Sequence, residues 1–132
     1  MNINLKPVID FGKMPIANAF LTESEIKDEF FYNMVLGYDR VTHAIGLVNT
    51  VPPGKMFHDH YAFYSSMSKG MQIHFAETAK KLLPIAKKGL VVELGSNDGI
   101  MLEAWKKLRI PAIGVEPSKN VAKVAMAKGI NT

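Results

Sequence analysis

The stretch Val91-Val92-Glu93-Leu94-Gly95-Ser96-Asn97-Asp98-Gly99, with Ala112-Ile113-Gly114-Val115-Glu116 after it, decides the fold class. A short apolar run ended by a glycine-bearing turn predicts a buried strand over 90–94. The spacing of Met101, Leu102, Trp105 and Leu108 predicts a helix over 99–109 with those residues inward. A second apolar run predicts a buried strand over 112–115. Strand, helix and strand in that order predict parallel strands joined by a right-handed crossover.

Such a unit places ligands beyond the carboxyl ends of its strands, and an acid at the second strand tip can accept ribose hydroxyls. Glu116 stands at that tip. Gly95 lets a cofactor approach the backbone with no Cβ in the way. A dinucleotide site needs G-x-G-x-x-G, but Asn97 and Ile100 replace two of those glycines. Asp98 at the start of the helix also opposes a pyrophosphate there. S-adenosylmethionine carries a sulfonium cation and no phosphate, so an acidic turn suits it. Two other readings fit the same residues: a dinucleotide enzyme, and a plain strand–turn–helix capped by Asp98.

Outward toward the N-terminus, apolar spacing predicts a helix over 71–83. Phe75, Ala76, Ala79, Leu82 and Leu83 lie on its inner face, and Pro84 kinks or ends it. Toward the C-terminus, Ser118 can cap a last helix that closes near Lys128 with Gly129. Residues 1–66 have a different texture and are rich in aromatics and turns. Short strands are expected at Val8–Phe11, ended by Gly12, at Phe30–Leu36 and at Ala44–Asn49. Gly37 to Arg40 supplies a hairpin connection. The expected organisation is therefore α/β, with a small β-rich module over 1–66 and the first part of a doubly wound, Rossmann-like domain over 67–132.

The chain has 132 residues, 48% hydrophobic and 21% charged, and a net charge of +4. This is the composition of an ordinary globular protein. Its lysines are spread along predicted helices rather than gathered on one face, which argues against nucleic acid as a principal partner. No apolar stretch approaches the ~18 residues of a membrane span, and no signal peptide opens the chain, so no membrane is expected and a cytoplasmic location is the default. There is no cysteine. Disulfides and cysteine-built zinc sites are excluded.

The run from Glu93 to Gly99, with Gly114-Val115-Glu116-Pro117-Ser118-Lys119-Asn120-Val121-Ala122, resembles the S-adenosylmethionine-dependent C-methyltransferases that act on nucleotide-linked deoxysugars. Asp10-Phe11-Gly12-Lys13-Met14-Pro15-Ile16-Ala17-Asn18-Ala19-Phe20-Leu21, Ile45-Gly46-Leu47-Val48, Tyr61-Ala62-Phe63-Tyr64-Ser65-Ser66 and Ala127-Lys128-Gly129-Ile130 are similar to the same family, in order. The resemblance implies an N-terminal zinc-type module followed by a class I methyltransferase fold. It also implies a keto-sugar substrate deprotonated to an enolate, whose carbon takes the methyl group. Glu93, Gly95, Ser96, Asn97, Asp98, Gly99, Glu116, Pro117 and Ser118 would then form the S-adenosylmethionine site. Tyr61 would be the catalytic hydroxyl, and Tyr64, Ser65 and Ser66 would contact the nucleotide-linked sugar.

Two departures stand out. The family's paired C-x-x-C ligands are missing, with Thr42 and Ile45 where one pair is expected, so no zinc is expected. Phe63 replaces a tyrosine. The N-terminal module must then be held by apolar packing, with Phe11, Phe20, Phe31 and Leu47 as candidates. The chain is expected to be an incomplete methyltransferase, with the general base elsewhere and no turnover alone. The alternative is a non-catalytic adenosine-binding module or decayed relative. His58 and His60 read as a loop rather than a metal site, since zinc wants four ligands. His74 reads as a solvated helix residue.

Overall fold

The computed structural model describes residues 4–132. Its contacts divide into a unit that ends at Met56 and a unit from Phe57 to Thr132. That boundary falls earlier than the expected break after residue 66. The Tyr61–Ser66 segment goes with the second unit because its backbone hydrogen-bonds there, as described below.

The first unit is a three-stranded antiparallel sheet: β1 (Lys6–Pro15), β2 (Phe31–Tyr38) and β3 (Ile45–Leu47), in that order. β1 does not stop at Gly12. It runs to Pro15, absorbing Gly12 at φ +74° in a register shift between Asp10 and Lys13. Gly37 and Tyr38 belong to β2, pairing with Gly46 and Ile45, so the connection is 39–44 rather than 37–40. Asp39 organises that connection. It is buried and accepts the N–H groups of Asn4 (2.7 Å), Val41 (2.8 Å) and Thr42 (3.3 Å). Those donors, Asn4 first, hold its carboxyl below the usual range.

The expected core of this unit is corrected. Phe11, Phe20 and Phe31 are exposed, and Leu47 is only half-buried. Among the described residues of this unit, Val35 and Val51 are the buried hydrophobic side chains instead. The reason is geometric. Phe11 on β1 and Phe31 on β2 stand on a small sheet with little apolar cover, and Phe20 lies outside the strands. A short helix, α1 (Pro53–Met56), ends the unit and begins with proline, as helices tolerate.

The second unit contains α2 (Lys69–Ala86), β4 (Val91–Leu94), α3 (Ile100–Lys107), β5 (Ala112–Val115) and α4 (Lys119–Ala127). Ser68 caps α2, its hydroxyl accepting Met71 N–H at 3.3 Å. Pro84 does not end this helix. It lies in the last turn, where its missing N–H forfeits one bond, and Lys87 N still reaches Leu83 O. The buried stripe also differs slightly from expectation: Ala79 is fully buried, whereas Ala76 and Leu82 are exposed.

β4 and β5 are parallel, paired Val91 to Ala112 through Leu94 to Val115. All three long helices contribute to one core against this pair: Ala79, Leu102, Trp105, Ala125 and Ile130, backed by Val91 and Ala112. Trp105 is 1% exposed, as its helical spacing predicts. The strands, however, are not buried on both faces. Val92, Leu94 and Val115 are exposed, because the helices all sit on the side of Val91 and Ala112. The architecture is mixed α/β with two small sheets.

Candidate functional site at the strand tips

The turn 95–99 is built on the end of β5. Gly95 N and Ser96 N both donate to Val115 O (2.8 and 3.3 Å), and Asn97 N donates to Glu116 Oε2 at 2.7 Å. Gly99 N closes the turn onto Ser96 O at 2.9 Å. The chain needs left-handed backbone at Gly95 (φ +76°), Asn97 (φ +49°) and Gly99 (φ +79°). Asparagine is among the few side chains that tolerate this conformation.

The two glycines serve different ends. A Cβ on Gly95 would meet nothing within 4 Å, so the backbone there is open to a ligand. A Cβ on Gly99 would come within 2.8 Å of Ile130 Cδ1 and 3.0 Å of Ala125 Cβ. At Gly99 the direction a side chain would take is filled by the protein's own core.

Glu116 is engaged twice by backbone: Oε2 by Asn97 N and Oε1 by Ser118 N at 2.8 Å. Each carboxylate oxygen retains a further acceptor direction for a ligand hydroxyl. Ser118 occupies the N-cap of α4, but its hydroxyl caps nothing. It is fully buried with no hydrogen-bond partner among the described residues. Pro117 is exposed.

Ser96 and Asp98 are buried rather than presented at the surface. Ser96 Oγ pairs with Thr132 Oγ1 at 2.9 Å. Asp98 accepts from Ser66 twice, through the backbone N–H at 3.2 Å and through the hydroxyl in a short bond. Lys128 Nζ lies 3.8 Å from Asp98 Oδ2 and donates to Asp98 O at 3.1 Å. Asn97 completes the clasp: its Oδ1 accepts Ser65 N–H at 2.9 Å and its Nδ2 donates to Phe63 O at 3.0 Å. The 63–66 segment and the 95–99 turn are therefore one hydrogen-bonded assembly. Residues 65–67 form a 3-10 turn within it.

Tyr61 and Tyr64 join the assembly through Asn120, in the first turn of α4. Its Nδ2 donates to Tyr61 O at 2.7 Å and to Tyr64 Oη at 3.0 Å. The Tyr61 ring stacks obliquely on Phe57, with centroids 6.2 Å apart.

Glu93 lies apart from the turn. It lines a groove of about 540 Å³ beside β4 with Leu82, Ile85, Leu90, Met101 and Trp105. Burial in that apolar setting pushes its carboxyl up to about 7, and Oε2 has no partner among the described residues. Gly95, Asn97 and Glu116 are not among that groove's walls. His58 and His60 sit in a turn, where His58 Nδ1 accepts His60 N–H at 3.2 Å. No group of three or more His, Cys, Asp or Glu suited to a metal occurs among the described residues. No helix among them is long and apolar enough to cross a membrane.

Three contributors escaped sequence reasoning. Gly114 lets Ser96 tuck inward, since a Cβ there would overlap Ser96 Oγ and come within 2.7 Å of Leu102 Cδ1. A glycine inside a four-residue strand is a signal of such close approach. Lys128 and Asn120 carry no comparable signal, because their partners are distant in sequence.

Taken together, the turn is a poor phosphate cradle. The N–H groups of Gly95, Ser96, Asn97 and Gly99 all donate within the protein. A pyrophosphate site needs such donors free and aimed at the ligand.

The chain is similar to a C-methyltransferase. That relative is C-methyltransferase NovU of Streptomyces niveus, 27% identical over 129 residues, which cover 95% of this chain and 30% of the relative. The chain thus spans less than a third of the relative's length. No family model matches it. The match covers both units, including the Gly95 turn, the Tyr61–Ser66 segment and the antiparallel sheet.

Proposed function

We propose that this chain carries the cofactor-binding portion of an S-adenosylmethionine-dependent methyltransferase, with a Rossmann-like domain over 67–132. In this reading it acts on a carbon of a nucleotide-linked keto-deoxysugar. The observation that carries the reading is the turn itself: its backbone donors are engaged internally, its glycine at 95 is open, and a carboxylate stands at the neighbouring strand tip. This set suits an adenosine cofactor that brings hydroxyls and a cation rather than phosphates. The likeness to a C-methyltransferase supports the same class.

The residues divide by role. Gly95 gives access to the backbone, and Glu116 accepts ribose hydroxyls while bracing the turn. Asn97 holds the turn to the 63–66 segment. Pro117 flanks the adenosine. Ser96, Asp98, Gly99 and Ser118 act from inside, fixing the shape of the site. When bound, S-adenosylmethionine supplies an electrophilic methyl group on sulfur. Tyr61 and Tyr64, with Ser65 and Ser66 beside them, face the sugar, and their hydroxyls steady the oxygen next to the carbon that is methylated. The N-terminal sheet works without zinc in this reading, held by strand pairing and by Asp39. Calorimetry with S-adenosylhomocysteine and with NAD tests the proposal. Tighter binding of S-adenosylhomocysteine is expected, and a preference for NAD overturns it.

A further inference from the structure

Asn120 makes a hydrogen-bond choice for Tyr64. A side-chain amide nitrogen is a donor only. The 3.0 Å contact between Asn120 Nδ2 and Tyr64 Oη therefore makes the phenolic oxygen the acceptor. The hydroxyl hydrogen is left to point elsewhere, and no acceptor takes it among the described residues. The orientation of the amide is itself fixed. Nδ2 also donates to Tyr61 O at 2.7 Å, and reversing the amide would set two carbonyl oxygens against each other. Asn120 Oδ1 is buried without a partner among the described residues, so the two donor bonds are kept at the expense of the acceptor.

We propose that Asn120 is a positioning residue that fixes the Tyr64 hydroxyl as a hydrogen-bond donor toward an oxygen of the bound substrate. The proposal rests on the reading of this site as a methyltransferase acting on a keto compound. It adds a direction to Tyr64. A hydroxyl whose lone pair is already engaged is prepared to give its hydrogen to a carbonyl oxygen that gains negative charge as the neighbouring carbon loses its proton. Asn120 also stands four residues after Glu116, at the start of the helix that follows the cofactor strand. The same short segment thus braces the proposed ribose contact and aims the proposed substrate contact.

Two measurements on the protein decide it. The Raman doublet of tyrosine reports whether a phenolic oxygen acts mainly as acceptor or as donor. The difference between wild type and Tyr64→Phe isolates Tyr64 from the other tyrosines. A mixed signature, with the oxygen accepting from Asn120 and the hydrogen given to solvent, is expected in the ligand-free protein, shifting to a donor signature in Asn120→Asp, whose carboxylate takes the hydrogen. A donor signature in the wild type, or no shift in Asn120→Asp, overturns the proposal, whatever the protein's activity.

The second measurement is methyl transfer from labelled S-adenosylmethionine to a nucleotide-linked keto-deoxysugar, made on a longer protein that contains this chain and the general base. Asn120→Ala should lower kcat about tenfold, as expected for losing one well-aimed hydrogen bond, with the KM for S-adenosylmethionine unchanged. It should cost clearly less in the Tyr64→Phe background, where only the bond to Tyr61 O is left to lose. Equal losses in both backgrounds show that Asn120 acts through something other than Tyr64, and the proposal fails. Tyr64→Phe retains the Asn120–Tyr61 bond, so damage to the segment does not imitate the expected result. Absence of both methyl transfer and S-adenosylhomocysteine binding in the wild type would count against the methyltransferase reading instead, and the Raman result would still stand.

Discussion

The Glu116 carboxylate accepts the backbone N–H of Asn97 at 2.7 Å, so the acid at one strand tip is also the brace of the turn at the other. Substitution there should strike folding and binding together. In Glu116→Gln one side-chain oxygen becomes an amide that faces a backbone N–H, donor against donor. Loss of a hydrogen bond to a charged group is worth about 1.5–3 kcal/mol. S-adenosylhomocysteine affinity should fall tenfold or more, measured by calorimetry, with a lower unfolding midpoint. Unchanged affinity would remove Glu116 from the cofactor site.

Asp98 is a buried charge compensated by Ser66 and Lys128. Asp98→Asn keeps the shape but loses the charge and one acceptor, leaving Lys128 without its counter-ion. A loss of roughly 2–3 kcal/mol in urea unfolding is expected, less than for a fully buried pair because Lys128 remains partly in water. Lys128→Met should lose less than Asp98→Asn. The reverse order would mean that Ser66 contributes little.

Gly99→Ala faces two penalties: left-handed backbone and a clash with Ile130 and Ala125. Together they predict a loss of about 2–4 kcal/mol. Ile130→Ala in the same chain should relieve the clash but not the backbone strain. The double variant should therefore be more stable than the sum of the single losses predicts. Strict additivity in denaturant melts would show that packing at Ile130 is irrelevant to Gly99.

The half-buried Glu93 carboxyl, raised to about 7, favours the protonated form in the folded state. Its contribution to stability is fully present below the ordinary carboxyl range and is lost as pH climbs through 7. Glu93→Gln should be close to neutral at low pH and stabilising at high pH, by about 1–2 kcal/mol after allowing for the part of the group that water screens. Unfolding curves on either side of neutrality check this. A pH-independent difference between the two proteins would contradict it.

The antiparallel sheet should not depend on zinc. With no cysteine in the chain and no suitable ligand cluster among the described residues, a chelator should leave the thermal midpoint unchanged. Stoichiometric zinc in the purified protein would contradict this.

The order of elements in the second unit was legible because period and punctuation agreed: apolar runs at 90–94 and 112–115, and helical spacing through Met101, Leu102, Trp105 and Leu108. The proposed roles of turn and strand tip were legible as chemistry but not as contacts. Nothing local says that Glu116 binds Asn97, or that Asp98 turns inward to Ser66, since those pairs are set by how the chain folds back. Burial was misread where the sequence is apolar on both sides of a strand. Leu94 and Val115 read as core, yet all the helices lie on the opposite face. Phe11 and Phe31 are exposed on a small antiparallel sheet, and Phe20 lies outside its strands.

The clasp between the 63–66 segment and the 95–99 turn has a consequence for amide exchange with solvent. Ser65 and Ser66 lie in a short non-repetitive stretch, where backbone hydrogens ordinarily exchange fast. Here their N–H groups end on the side chains of Asn97 and Asp98. Their hydrogens can leave only when the turn lets go, and the turn is itself held by Val115 and Glu116. The protection of two loop amides should therefore follow that of Gly95 and Asn97, as one cooperative opening unit.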